Sequence, residues 1–347
     1  MISVSPLQAG LALIGVLVLV AVALHGVWVS RRNLPRQPSA GAAEPGLPPG
    51  EGVEPSLDEA AFELSRFPLP LPEKKPALDP LIDIIAPLHL EGPVSGDAAL
   101  AAMPPTRRAG SKPFAIEGYN EAAQRWETPL PGQRYSAFQA GVQLANRAGA
   151  LNEIEYSEFV MKTQAFADAV NGTPDFPDML DEVARARELD QFAGDHDAQL
   201  GFVLRARHAA WSPGYVQQSA ARLGFVAGAL PGRMVIAAGT LGLPPILGLS
   251  FDTQAALSDD PAQSAIRDLT LSLDVPQVDP AERPFERMRE VALMLADSMD
   301  GMLMDHSGVP LSAIALDQIA ADLSQLYATL AEREFGAGSA LARRLFS

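Results

Sequence analysis

The chain has 347 residues, no cysteine, and a formal charge of −16 from 26 basic and 42 acidic side chains. Without cysteine there is neither a disulfide framework nor a thiolate metal site, and so acidic a chain lacks the basic footprint of a nucleic-acid binder. The length corresponds to about two domains, but the 30 prolines are unevenly spread and divide the chain into regions of different character.

Residues 7–29 contain no Asp, Glu, Lys or Arg. About 20 apolar residues, rising ~1.5 Å each, cross the hydrocarbon core of a bilayer, and in lipid such a stretch is helical because no water satisfies a free backbone amide. Trp28 stands at its end, and Arg31, Arg32 and Arg36 follow at once. The positive-inside rule therefore places the N-terminus outside and the remainder in the cytoplasm. A cleaved signal peptide would carry its basic residues ahead of a shorter apolar core; here they come after it. His25, inside the run, reads as a neutral residue near the interface. Residues 30–77 read as a flexible linker, since eleven prolines lie between residues 31 and 80 and proline-rich chain stays extended and solvated. Within it, residues 56–65 fit a short helix with Ser56 as cap and Glu59 at the third position. Phe67-Pro-Leu-Pro-Leu-Pro72 reads as polyproline II, either a stiff spacer or a ligand for a proline-reading module.

From Leu78 onward the pattern is globular and α+β. Alternation predicts strands over 81–90, 113–119, 135–144, 159–165, 200–207, 233–238, 246–251 and 269–275. Helical spacing predicts helices over 177–188, 214–223, 284–299 and 311–331. Self-comparison suggests a duplication. Glu182-Val-Ala184 matches Glu290-Val-Ala292, Asp195-His196 matches Asp305-His306, and the segment of Phe138 and Gln143 falls on that of Leu249 and Gln254. This predicts two small domains of one fold, residues 78–198 and 199–335, followed by a tail, 336–347, whose apolar residues dock on the domain surface.

No stretch fits a P-loop or a His-Glu-x-x-His zinc helix, and the five histidines are scattered. The two Asp-His pairs read as surface turns rather than metal ligands. Asp305-His306-Ser307 has triad residue types, but three sequence neighbours cannot form a relay built from separate elements. No catalytic residue, metal ligand, cofactor or small-molecule substrate is assigned, and an anchor with a spacer points to tethering and binding.

The two ends of the chain carry a family resemblance. The anchor closes with His25-Gly-Val-Trp-Val-Ser-Arg-Arg32. Later come Leu223-Gly-Phe-Val-Ala-Gly228, Gly232-Arg-Met-Val-Ile236 and Leu271-Ser-Leu-Asp-Val-Pro276, then the helix from Phe285 leading to Gly301-Met-Leu303, then Leu311-Ser-Ala-Ile-Ala-Leu-Asp-Gln-Ile319. This ordered set resembles the ZipA family of bacterial division proteins, over residues 200–332 and the anchor. The resemblance implies an inner-membrane adaptor at the division site. Its cytoplasmic antiparallel sheet, with helices on one face, would bind the C-terminal tail of FtsZ on the other face and tether the division ring. Residues 78–198 would be a degenerate extra copy. Alternation in the strands, with Met234 and Ile236 taken from the family's groove strand, gives a groove of Val203, Arg205, Met234, Ile236, Gly248, Ser250, Asp252 and Ser272. Several of these are smaller or more polar than the family's residues.

Overall fold

The computed structural model describes residue 36, residues 78–257 and residues 264–347. The anchor, the short helix at 56–65 and the polyproline segment lie outside these residues. In chain order the main elements are β1 (Asp83–Leu90), α1 (Gly96–Ala102), β2 (Lys112–Asn120), β3 (Ala137–Gln143), α2 (Glu153–Ala169), β4 (Gly172–Pro174) and α3 (Met179–His196). They continue with β5 (Gln199–Ala206), α4 (Pro213–Ala221), β6 (Arg233–Ile236), β7 (Leu247–Ser250), β8 (Asp268–Asp274), α5 (Pro284–Met299), β9 (Gly301–Met304), α6 (Ala313–Glu332) and α7 (Ala340–Leu345). The fold is mixed α and β with antiparallel sheets.

The chain divides into two compact units. One contains residues 78–198, Val275–Glu282 and Ala321–Ser347; the other contains Gln199–Asp274 and Arg283–Ala320, together with Arg36. In the first, the strands run β4-β1-β3-β2, with Arg108–Ala109 and Arg125–Glu127 pairing onto β2. In the second, they run β9-β5-β8-β7-β6, with Val226–Ala227 at the edge. The first strand of each unit thus lies between the unit's last strand and a later hairpin partner. The register repeats as well. Asp83 faces Gln143 and Leu88 faces Phe138, as Gln199 faces Asp274 and Leu204 faces Leu269. Leu88 also faces Pro174 as Leu204 faces Leu303.

These correspondences correct the pairing of motifs read from the sequence. The partner of β3 is β8, not the segment of Leu249, and α5 occupies the place of α2, so the two Glu-Val-Ala motifs sit on non-equivalent helices. The strand predicted over 159–165 is also a helix. Asn152 accepts from the amides of Ile154 and Glu155 while Glu155 reaches back to the Asn152 amide, a reciprocal capping box that starts α2. The β-favouring residues Phe159, Val160 and Thr163 then fall on a helix whose Phe159, Thr163 and Phe166 are buried, because tertiary packing outweighs a weak strand preference. Asp195-His196 closes α3 rather than a turn, with the His196 ring stacked on Phe192 at 4.3 Å.

Each sheet buries one face. In the first unit Ile84, Ala86 and Leu88 of β1 meet Phe114 and Ile116 of β2 and Phe138, Ala140 and Val142 of β3 in one core. Helices α2 and α3 close it with Phe159, Phe166 and Val183, and Phe138 meets Phe166 edge to face at 5.2 Å. In the second unit Phe202 and Leu204, Leu247 and Leu249, and Leu269, Leu271 and Leu273 are buried on one side. Helix α5 packs over them with Phe285, Met288, Ala292 and Leu295. Proline opens α5, where the missing amide proton is no loss. Asp300 ends it in the left-handed region, donating its N–H to Ala296. Trp211, fully buried, donates Nε1–H to the Met299 carbonyl at 2.8 Å. Arg36 joins this unit by donating to the Met299 carbonyl and pairing with Asp300 at 3.0 Å.

The C-terminal segment is part of the first unit's core. Phe335, Ala342, Leu345 and Phe346 cluster with Ile82, Ala145 and Phe192. Arg344 pairs with Asp83 at 2.5 Å, and Asp83 is only 1% exposed. Burial pushes the Asp83 carboxyl above its ordinary value, while the Arg344 guanidinium pulls the other way.

Two outcomes test this arrangement. Phe346→Ala, at a fully buried site, is expected to lower stability by about 3 kcal/mol, read as a lower urea midpoint; an unchanged midpoint would mean that the segment contributes nothing. Arg344→Met leaves a buried carboxylate unpaired, at an expected cost of about 3 kcal/mol near neutral pH. The native pKa of Asp83 is raised, so its favourable contribution belongs to low pH and is lost as pH rises through that pKa. Loss of the guanidinium raises it further. The gap between variant and wild type should therefore narrow as the solution approaches the ordinary carboxyl pKa of about 4; a pH-independent gap would contradict the pairing.

Candidate functional site

The helices of the second unit cover one face of its sheet and leave the strand positions between the core residues on the other. The antiparallel register sorts these positions into rows across the strands. One row runs Met304, Val203, Thr270, Ser250 and Arg233. The next runs Gly201, Ser272, Gly248, Val235 and Val226. A third places Arg205 between Met302 and Asp268.

The middle row is a trough because its central side chains are small. A Cβ on Gly248 would stand 2.5 Å from the Ser272 hydroxyl, so that hydroxyl packs directly on the glycine. Val235 and the exposed Val226 stand at one end. At the other end the His306 ring lies on Gly201, where a Cβ would meet its Nε2 at 2.0 Å. The loop that carries His306 is held by Asp305, which accepts from the amides of Val309 and Gly308. Arg205 faces outward, but its guanidinium is joined to Asp268 directly across the register, at 2.6 Å. Both side chains are about half exposed, so this pair orders the surface more than it stabilises the fold.

Of the eight groove residues expected from the sequence, Val203, Arg205, Gly248, Ser250 and Ser272 share this face. Met234 and Ile236 do not. They stand opposite Leu249 and Leu247, on the covered side, and Met234 is only 5% exposed. The strand segment Met234-Val-Ile236 is apolar at every position, so it carries no alternation from which its faces could be told; only pairing with β7 decides it. Asp252 lies past the end of β7 and accepts from the amides of Gln254 and Ala255, capping the short helix Thr253–Leu257. Gly201, Thr270, Arg233, Val235 and Val226 were missed. Gly201 and Thr270 were legible from parity alone, as the partners of Val203 and Ser272 in alternation. Among the described residues no cluster of His, Asp and Glu is placed to hold a metal ion.

The row of small residues on this sheet face is thus flanked by Val235 and Val226 at one end and by His306 at the other. Residues 257–322 match the family described as ZipA, C-terminal FtsZ-binding domain. The match spans β8, α5, β9 and the start of α6, and it shows the resemblance read from the sequence. No match was found among curated proteins. Among solved structures, the berberine bridge enzyme from Eschscholzia californica aligns at 10% identity and a TM-score of 0.15. That alignment covers 76% of this chain and 54% of the enzyme, so the chain spans about half the enzyme's length. A likeness that low carries no information on fold or activity.

Gly201→Ala is expected to unseat His306 while leaving the far-ultraviolet circular dichroism unchanged. The check is the His306 Hε1 proton resonance, which should shift; an unmoved resonance would show that the ring does not rest on Gly201.

Proposed function

We propose that the open face of the second unit's sheet binds the C-terminal tail of FtsZ, and that the chain tethers the division ring to the inner membrane. The match to the ZipA C-terminal FtsZ-binding domain supports a non-enzymatic, FtsZ-binding role in cell division. The observation that carries it is that the matched segment supplies β8, β9 and α5, which form the middle, one edge and the cover of the sheet bearing the trough. Val203, Gly248, Ser250 and Ser272 then contact the tail, with Val235, Val226 and Met302 supplying apolar area. Such area contributes roughly 25 cal/mol per Å² removed from water.

The membrane arm of the proposal rests on residues 7–29 and the arginines that follow. It gives a single pass with the N-terminus periplasmic and the globular units cytoplasmic. Among the described residues no helix is long and apolar enough to cross a membrane, so the anchor is assigned from sequence. The same reading divides the chain into a linker over 30–77, a degenerate copy over 78–198, an FtsZ-binding domain over 199–335 and a tail from 336, with Val275–Glu282 and Ala321–Ser347 packing in the compact unit of residues 78–198. The repeated strand order and register support a duplication.

Titrating the full chain against an FtsZ tail peptide, followed by calorimetry or fluorescence anisotropy, tests the binding arm. Val203→Asp, on the half-buried outer face, should weaken binding at least about tenfold, equivalent to about 1.4 kcal/mol. Met234→Ala should instead lower stability by about 2 kcal/mol or more through the cavity it leaves. Absence of binding at high micromolar wild-type protein would overturn the reading.

A further inference from the structure

Arg36 is remote in the chain from the rest of the second unit, yet it is built into that unit by backbone and side chain together. Its amide donates to the Ala210 carbonyl at 2.7 Å, and its own carbonyl accepts from the Ser212 amide at 3.0 Å. These bonds make a parallel bridge to Trp211. The guanidinium donates to the Met299 carbonyl at 3.1 Å and to the Asp300 carboxylate at 3.0 Å. Met299 is the last residue of α5, so the cation sits at the negative end of the helix dipole. The Trp211 indole donates to the same Met299 carbonyl at 2.8 Å. Of the three arginines that follow the apolar stretch, Arg36 is thus committed to protein and not to lipid headgroups.

The place of Arg36 in the chain gives this contact its consequence. Six residues separate it from Val29, the end of the apolar stretch, and chain of that length reaches at most about 25 Å. Leu78, where the first unit begins, stands 49 positions after Val29, a reach of up to about 175 Å. The Pro-rich residues 37–77 come after the contact, so they cannot set the distance between the anchor and the second unit while Arg36 is seated. The seated end is also where β5 finishes, since Ala206 faces Gly301, the neighbour of Asp300. Gly201, in the trough, lies five residues back along β5, about 17 Å along a strand.

We propose that Arg36 is a docking point that holds the second unit, and with it the trough, at the cytoplasmic surface of the membrane. This placement rests on the reading of residues 7–29 as the anchor. The linker then joins the seated Arg36 to Leu78, and it is not the spacer between the membrane and the FtsZ-binding unit.

Energy transfer in nanodiscs tests the placement. The chain has no cysteine, so Ser298→Cys, at an exposed position beside Met299, takes a single donor dye. The full chain is reconstituted in discs with acceptor-labelled headgroups. A flexible insert of about 20 Gly-Ser residues adds roughly 25 Å of reach. Placed after Asn33, between the anchor and Arg36, it should lower the transfer efficiency at least about twofold. Placed after Gly50, beyond Arg36, it should leave the efficiency unchanged. Arg36→Pro removes the amide donor and the guanidinium together. It should lower the efficiency by itself and make the insert after Gly50 lower it further.

Equal responses to the two inserts would overturn the proposal, as would unchanged transfer in a folded Arg36→Pro chain. Neither insert touches a described residue, so their comparison decides even where thermal melts show that Arg36→Pro does not fold. A chain that does not stay with the discs overturns the anchor and this placement together. A chain that stays but answers both inserts alike overturns the placement alone. No FtsZ peptide is present, so binding near Val203 stands or falls separately.

Discussion

One-sided burial of a central antiparallel strand governs both units. β1 and β5 each pair along one edge with a long neighbour, over Asp83–Leu88 and Gln199–Arg205, and along the other with a short last strand, over Leu88–Leu90 and Val203–Ala206. Their side chains alternate with a period of two, and a slip of one residue would carry every core side chain into solvent. Phe202 and Leu204 under α5, and Ile84, Ala86 and Leu88 under α2 and α3, therefore fix which residues lie on the opposite face. The trough at Gly201, Ser272 and Gly248 and the cavity lined by Ala115 and Glu117 on the first unit's sheet both follow from that single choice of parity.

The two sheets share strand order and register but not surface. In the second unit the outer face is lowered by small residues and left open between Val235 and His306. In the first, Gly141 and Ala115 stand at the places of Ser272 and Gly248, and the neighbouring rows carry Glu117, Gln139 and Gln143, whose side chains bond to one another or to backbone carbonyls. The C-terminal helix brings two arginines to the same face. One backbone plan thus supports an open trough in one unit and a partly enclosed pocket, lined by arginines and carboxylates alike, in the other. The groups that differ are those the core does not constrain.

The α+β pattern and most elements were legible in the sequence, and the reasons are local. β1, β5 and β8 alternate cleanly between core and solvent, and α5 carries its apolar residues at helical spacing. The strand expected at 159–165 failed because Phe, Val and Thr favour strands while the start of the helix is set seven residues earlier, by Asn152 and Glu155. The repeat was visible, but its alignment was not. Motif identity matched Glu-Val-Ala on helices of different rank, whereas hydrogen-bond register matches Asp83 with Gln199 and Gln143 with Asp274.

The amino-acid sequence by itself determined which strands alternate, where α5 begins and ends, and that Val203, Arg205, Gly248 and Ser272 stand away from the core, because these depend on spacing along one element. It also carried the family resemblance that residues 257–322 bear out. Only the tertiary structure decided the face of Met234, the seat of His306 on Gly201, and the return of Arg344 to Asp83 across 261 residues. Each of these depends on a partner distant in the chain, and neither propensity nor periodicity encodes which distant residue will supply it.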